Sequence, residues 1–187
     1  MRRSVERKSE AEMLKAYPIA GRLPNWYFRA NETSANAWLV EGSDVWGRTV
    51  ARQGANQDEL LTQCVKEAAA VTLRSEPISY HENRLFLGSE RLATFDYSIV
   101  DAYSNGRLVI VLLNYGDYPK AIKRCKNLFA IDLNGQVNWA AQLPTQTRAD
   151  AYYKIASHSP LVAYSVASYE CEIDPNTGRI QKRLFYK

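Results

Sequence analysis

The sequence predicts an α+β fold that consists mainly of antiparallel β-sheet, open or strongly coiled rather than a closed propeller, with one main helix near residues 57–73. Three observations support this prediction. Tyr and Trp are abundant, with 12 and 4 copies among 187 residues, and both suit the half-buried surface of a pleated sheet. Turn-forming residues separate short apolar runs over most of the chain. One long stretch has helical periodicity together with a helix start signal.

The predicted helix starts after Asn56, a residue type whose side chain accepts hydrogen bonds from the first backbone N–H groups of a helix. Glu59 follows three residues later, as in a capping box, and its charge suits the positive end of the helix. Apolar side chains then recur at a period of 3.6 residues and form one face for packing. They are Leu60, Leu61, Cys64, Val65, Ala68 and Val71.

The length of the chain predicts a single domain, residues 1–187, with three regions. Residues 1–20 form a basic segment that is either disordered or a frayed helix, because its apolar periodicity is weak. Residues 25–76 form a strand–strand–helix lobe, and residues 84–187 form an antiparallel β region. Within that region the run at 109–113 is apolar at every position, which predicts a central strand buried on both faces.

Three turn signals separate apolar runs in the β region. Asn105-Gly106 and Asn134-Gly135 favour tight hairpin turns, in which both turn residues adopt positive φ. The segment 174–178, Asp-Pro-Asn-Thr-Gly, favours a longer turn, because Asp bonds its own backbone and Gly accepts positive φ. Turn capping also accounts for Asp96, Asp101, Asp132 and Asp174 better than a catalytic role does.

Two of these hairpins resemble blades of PQQ-like β-propellers: AIDLNGQVNWAA at 130–141 and CEIDPNTGRIQKRLF at 171–185. Each has an apolar strand that ends in Ile-Asp, a Gly turn, and an outgoing strand with a bulky side chain, Trp139 or Phe185. A closed ring requires at least four blades of about 40 residues, and residues 84–187 provide only about two four-stranded units. The resemblance therefore carries no cofactor site to this chain.

Three segments also resemble uncharacterised bacterial cytoplasmic proteins of the immunity type: RLATFDYSIVDAY (91–103), NLFAIDLNGQVNWAA (127–141) and YECEIDPNTGRI (169–180). The resemblance implies a small cytoplasmic protein whose role is to bind another protein. The N-terminal sequence lacks the apolar stretch of a secretory signal, and no run is long enough to span a membrane. We therefore expect a cytoplasmic protein without a membrane partner.

The charge distribution favours a protein partner over nucleic acid. Of the net charge of +4, all is carried by residues 1–30, with seven Lys and Arg against three Glu, and the rest of the chain is neutral. A nucleic-acid surface requires basic residues on the folded body. A nucleic-acid or other anionic partner stays an alternative, because the N-terminus is basic and two further clusters occur. These are Lys120, Lys123, Arg124 and Lys126, and Arg179, Lys182, Arg183 and Lys187.

Few residues suit catalysis. The two His residues, His81 and His158, are far apart, which disfavours a Ser–His–Asp hydrolase and a His-based metal site. The three Cys residues have no metal-ligand spacing, so the sequence predicts neither a cofactor nor a metal. An enzyme of unrecognised type stays a third alternative.

The predicted function is therefore a non-enzymatic cytoplasmic protein-binding module, with a toxin-neutralising immunity protein as its specific form. Two Tyr-rich segments, one of them leading into a basic cluster, are expected to form one recognition face, because Tyr and Arg are enriched at binding hot spots. The alternative is that these Tyr side chains pack across strands. The candidate binding residues are Tyr115, Asp117, Tyr118, Lys120, Arg124, Asp150, Tyr152 and Tyr153.

Overall fold

The computed structural model describes residues 7–146 and 149–186. The chain divides into two compact units, residues 1–72 and 73–187. Unit 1 contains α1 (Glu10–Ala16), β1 (Ile19–Leu23), β2 (Trp26–Ser34), β3 (Ala37–Asp44), β4 (Thr49–Gly54) and α2 (Gln57–Ser75), which ends just past the boundary. Unit 2 contains β5 (Ile78–His81), β6 (Arg84–Leu87), β7 (Glu90–Thr94), β8 (Ile99–Ser104), β9 (Val109–Leu113), a 3-10 helix (Tyr115–Asp117), β10 (Leu128–Ile131), β11 (Val137–Ala140), β12 (Tyr152–His158), β13 (Leu161–Ser165), β14 (Tyr169–Ile173) and β15 (Ile180–Phe185).

The predicted fold class is confirmed: over the described residues the strands form antiparallel sheets and no closed propeller, and α2 is the main helix. Whether the two units make one domain with the predicted lobes stays a prediction. In unit 1 the strands form one sheet in the order β1-β2-β3-β4. The side chain of Asn56 caps α2 as predicted, accepting from the N–H groups of Asp58 and Glu59 at 3.1 and 3.2 Å.

The N-terminal segment contains a short helix, one of the two predicted alternatives, and a strand that the sequence pattern did not predict. Residues 1–6 of the predicted basic segment lie outside the described residues. From Ser9 onward a capping box with Glu12 starts α1, and β1 then pairs with β2. The sequence around Pro18, Gly21 and Pro24 reads as a series of breaks. A short strand at the edge of a sheet tolerates such residues, because one side of its backbone needs no partner strand.

Unit 2 consists of three sheets, each made of strands that follow one another in the chain: β5-β6-β7, β8 to β11, and β12 to β15. β9 lies between β8 and β10, and all five of its residues are buried, which confirms the predicted central strand. The two four-stranded sheets share one apolar core. It includes Ile110, Leu112, Leu128, Ala130, Trp139, Tyr152, Ile155, Leu161, Ala163, Cys171 and Ile173.

The predicted hairpins form, but the prediction that Asn-Gly makes a two-residue turn in them was wrong. Gly106 and Gly135 have positive φ, at 82° and 74°, whereas Asn105 and Asn134 do not. A side-chain oxygen stabilises a longer loop in each case. That of Asn105 accepts from the N–H groups of Arg107 and Leu108, and that of Asp132 accepts from Asn134 and Gln136. Bonds of this kind compete with the ladder bonds that a tight turn would need.

Trp139 connects the two four-stranded sheets. Its indole N–H donates to the carbonyl of Pro175 at 3.2 Å, in the turn between β14 and β15. Gly178 of the same turn lies under the ring, so that a Cβ there would be 2.6 Å from a ring carbon. The last strand of one sheet is thereby fixed to a turn of the next. Phe185, the bulky residue of the second hairpin, is instead 58% exposed.

Candidate functional site

The chain leaves the buried strand β9 through a loop whose first turn is a capped 3-10 helix. The side chain of Asn114 accepts from the N–H of Gly116 at 3.0 Å and donates to Asp117 at 2.9 Å. The other carboxylate oxygen of Asp117 accepts from the backbone N–H and the hydroxyl of Ser98. The hydrogen bonds from Ser98 lower the pKa of Asp117. Asp117 therefore fixes the loop to the segment before β8.

Tyr118 continues this loop and stacks on Tyr97, with ring centroids 3.8 Å apart. Its side chain is half-buried, and this burial raises the pKa of Tyr118 to about 12. Tyr115, three residues earlier, is 45% exposed. The two predicted tyrosines of the loop thus differ: Tyr118 packs against Tyr97, and Tyr115 projects into solvent.

Asp150 fixes the second predicted segment. Its carboxylate is buried and accepts from the N–H of Thr145 at 3.0 Å, the hydroxyl of Thr145 at 2.7 Å and the hydroxyl of Ser165 at 2.5 Å. Its backbone exchanges hydrogen bonds with the basic loop, donating to Lys123 and accepting from Cys125. Asp150 therefore joins the two predicted segments, but its carboxylate is used inside the protein.

The prediction that Tyr152 belongs to the binding surface was wrong. Its side chain is completely buried between the two four-stranded sheets, and its hydroxyl donates to the carbonyl of Gln142 at 2.6 Å. β12 alternates its side chains, so Tyr153 points to the opposite face. There its hydroxyl lies 2.9 Å from that of Tyr186, and its ring packs beside Tyr164. The predicted pair Tyr152 and Tyr153 thus divides between the core and an outer sheet face.

Four of the predicted binding residues line one concave surface with a volume of about 430 Å³: Tyr115, Tyr118, Lys120 and Asp150. The other four, Asp117, Arg124, Tyr152 and Tyr153, do not line it. We call it the lysine-rimmed depression and define it by Tyr115, Tyr118, Lys120, Ile122, Lys123 and Val166. Ile122 and Val166 were not predicted, yet they are 45% and 40% exposed. In the sequence, Ile122 is a single apolar residue in a basic loop, and Val166 extends an apolar run that reads as core. Their exposure is decided by the packing of the loop and not by any local pattern.

One Arg from each of the two basic clusters reaches the same loop. Arg124 donates to the carbonyl of Thr145 at 2.7 Å, and Arg183 donates to the neighbouring carbonyl of Pro144. The ring of Tyr169 also lies 5.2 Å from the guanidinium of Arg183. Arg124, a predicted binding residue, therefore bonds the loop before Asp150 and does not line the depression, while Lys120 and Lys123 are exposed at its rim.

The described residues offer this site little reactive chemistry. Among them, no group of three or more His, Cys, Asp or Glu side chains is placed to hold a metal ion. Cys125 is buried beside the loop, and burial raises the pKa of its thiol despite the flanking cations. None of the described helices combines the length and the apolar character that crossing a bilayer requires.

Unit 2 is thus an antiparallel β domain of three successive sheets with a concave, lysine-rimmed surface at one end of its strands. Residues 76–185, from just before β5 to the end of β15, match the model of a family described as a domain of unknown function, DUF7957. The match covers more than half of the chain, and the chain belongs to this family. No curated protein and no solved structure matches it.

Proposed function

We propose that this protein is a non-enzymatic, cytoplasmic protein-binding module, and that the lysine-rimmed depression is its contact surface. One observation carries the proposal: three of its large apolar side chains, Tyr115, Ile122 and Val166, are exposed together on one concave surface. Exposed apolar residues that stand alone are ordinary, whereas a group rimmed by polar residues is typical of an interaction site.

The charges at the depression define the chemistry of the partner. Lys120 and Lys123 are exposed at the rim, whereas the nearest predicted acids, Asp117 and Asp150, are hydrogen-bonded to Ser98, Asn114, Thr145 and Ser165. The exposed charges of the depression itself are therefore those of its two rim lysines, because the carboxylate of Asp150 is buried and Asp117 lies outside the lining. We propose a protein partner that inserts an apolar side chain flanked by Asp or Glu, since opposite charges at a rim speed association and select the partner.

The use of the carboxylates supports a non-enzymatic role. Asp132 and Asp174 cap their own turns, as the sequence predicted, whereas Asp101 lies within β8 and faces His158 at 3.7 Å. Asp117 and Asp150 hold loops in place. A general acid or base must instead reach a substrate. The resemblance to immunity-type proteins makes a protein toxin the first partner to test.

The test is an affinity pull-down of the full chain from nuclease-treated lysate at two salt concentrations, followed by binding measurements on the captured partner. Ile122→Ala is expected to weaken binding by about tenfold, the effect of an anchor residue at an interface. Val137→Ala is the matched control, because Val137 is also exposed, at 56%, but lies outside the depression.

A second pair of variants tests the rim. The double change Lys120→Gln and Lys123→Gln is expected to lower the association rate and to reduce its salt dependence, whereas Lys66→Gln on α2 leaves both unchanged. Equal effects of Ile122→Ala and Val137→Ala would contradict the proposal. Capture of nucleic acid that is lost with nuclease or salt would favour the alternative of an anionic partner bound through phosphates.

A further inference from the structure

A second concave surface lies at the opposite end of the same strands. β12 starts at Tyr152, beside the lysine-rimmed depression, and ends at His158, which lines this second surface. We call it the arginine–histidine cleft. It measures about 540 Å³, within the usual range for small-molecule sites, and three loops of the two four-stranded sheets meet there. Its lining includes Tyr103, Ser104, Asn105, Arg107, His158 and Asn176.

The hydrogen bonds inside these loops leave mainly donor groups for a ligand. The side-chain oxygen of Asn105 accepts from the N–H groups of Arg107 and Leu108, so its NH₂ group is the part left to face outward. The hydroxyl oxygen of Ser104 accepts from the N–H of Gly106 at 3.0 Å, which leaves its hydrogen available to donate. The acceptor sides of both residues thus hold the loop together.

Arg107 supplies a fixed positive charge at the edge of the cleft. One guanidinium nitrogen donates to the side-chain oxygen of Asn176 at 3.2 Å. This bond holds the side chain of Arg107 against the turn between β14 and β15. A guanidinium has five N–H donors, so Arg107, which lines the cleft, has donors beyond this one bond to offer a ligand. The neighbouring acid, Asp174, caps its own turn by accepting from Asn176 and Thr177.

The opposite wall is a rigid aromatic pair. The rings of Tyr103 and His158 stack at 3.8 Å with an angle of 11° between their planes. A carboxylate oxygen of Asp101 lies 3.7 Å from the imidazole Nε2 of His158, behind this pair. Asp101 itself does not line the cleft.

We propose that the arginine–histidine cleft binds a small phosphorylated metabolite, a phosphate monoester whose phosphate contacts Arg107 and the donors of the loop 104–107. A tetrahedral dianion matches a guanidinium together with several neutral donors, and Arg recognises phosphate in a bidentate manner. The cleft is larger than one phosphate group, which leaves room for the body of the ligand beside Tyr103. This site is independent of the proposed protein-binding surface.

The experiment is an amide-resolved NMR titration of the full chain with inorganic phosphate, with glycerophosphate and, separately, with acetate. The expected result is saturable shifts at residues 104–107 and 158–159, with glycerophosphate binding at least as tightly as phosphate. Arg107→Gln is expected to weaken binding by about tenfold, the loss of one charge-assisted pair. Arg179→Gln is the matched control, because Arg179 is exposed nearby but is not part of the lining.

Asn105→Asp provides a second variant that preserves the fold. The carboxylate still accepts from the N–H groups of Arg107 and Leu108, but it replaces the NH₂ donor with negative charge, so phosphate binding should be lost. Shifts that do not saturate, that are equally strong around Lys120 and Lys123, or that persist in both variants would overturn the proposal. Binding of acetate as tight as that of phosphate would also overturn it.

Discussion

The side-chain amide of Asn127 pairs with both backbone groups of Tyr152. Its nitrogen donates to the carbonyl of Tyr152 at 2.7 Å, and its oxygen accepts from the N–H of Tyr152 at 3.0 Å. The same nitrogen donates to the carbonyl of Leu113 at 2.7 Å, and Asn127 is completely buried. One side chain thus joins the end of β9 to the start of β12, in place of ladder hydrogen bonds between the two sheets.

Replacing Asn127 by Leu should therefore destabilise the protein strongly. The change keeps the volume but leaves three buried backbone groups without their partner, so we expect a loss of about 3 kcal/mol in the free energy of unfolding. Urea denaturation measures it. Asn138→Leu, at an exposed position of β11, is the control and should change stability by less than about 0.5 kcal/mol. Equal effects would show that the paired amide is not what holds the strands.

Asp150→Asn tests the link between the two loops of the depression. The amide cannot accept from all three donors of Thr145 and Ser165, so we expect a loss of about 2 kcal/mol in the free energy of unfolding. Hydrogen exchange should rise first at the N–H groups of Cys125 and Asp150, which bond across the loops. Asp96→Asn, at an exposed position, should leave exchange there unchanged.

Gly178→Ala should cost more stability than the same change at Gly106. Both glycines have positive φ, at 70° and 82°, so both substitutions carry the backbone penalty of about 1–2 kcal/mol. At Gly178 the new methyl group also meets the ring of Trp139, whereas a Cβ at Gly106 has open space around it. Thermal or urea unfolding of the two variants gives the difference directly. A smaller loss of unfolding free energy for Gly178→Ala than for Gly106→Ala would show that the ring of Trp139 moves aside without a penalty.

Stability should fall at alkaline pH because two half-buried tyrosines lose their protons late in the folded protein. Burial raises the pKa of Tyr103 and of Tyr118 to about 12 in the folded protein, above the ordinary value of 10.0. The unfolded chain loses these protons first, so the stabilising contribution is complete below about pH 10 and is lost as the pH rises towards 12. Ultraviolet titration of the phenolates measures the two pKa values, and Tyr118→Phe should remove one late-titrating group. A pKa near the ordinary value of 10.0 for both residues would contradict this prediction.

Local rules predicted the parts of the fold that depend on neighbouring residues. The cap at Asn56 and the apolar run of β9 are complete signals within a few residues, and both form as predicted. Asn127 and Ile122 follow no such rule. The burial of the first and the exposure of the second are decided by segments far away in the chain.

The candidate site was predicted in part for the same reason. Tyr115, Tyr118 and Lys120 lie on one loop and line the depression together. Tyr152 and Tyr153 are neighbours in the sequence, but the alternation of a strand sends one into the core and the other to the surface. Which of the two faces solvent depends on the register of β12 with β13, and composition does not reveal it.

Because Trp139 packs on Gly178, its fluorescence reports on the structure of the family domain alone. The sequence has four Trp residues, at 26, 38, 46 and 139, and only the last belongs to unit 2. Its emission therefore follows the separation of the β8–β11 sheet from the β14–β15 turn, while the other three indoles follow unit 1. In a Trp139→Phe protein, the fluorescence that persists belongs to unit 1, and the part that disappears belongs to the family domain.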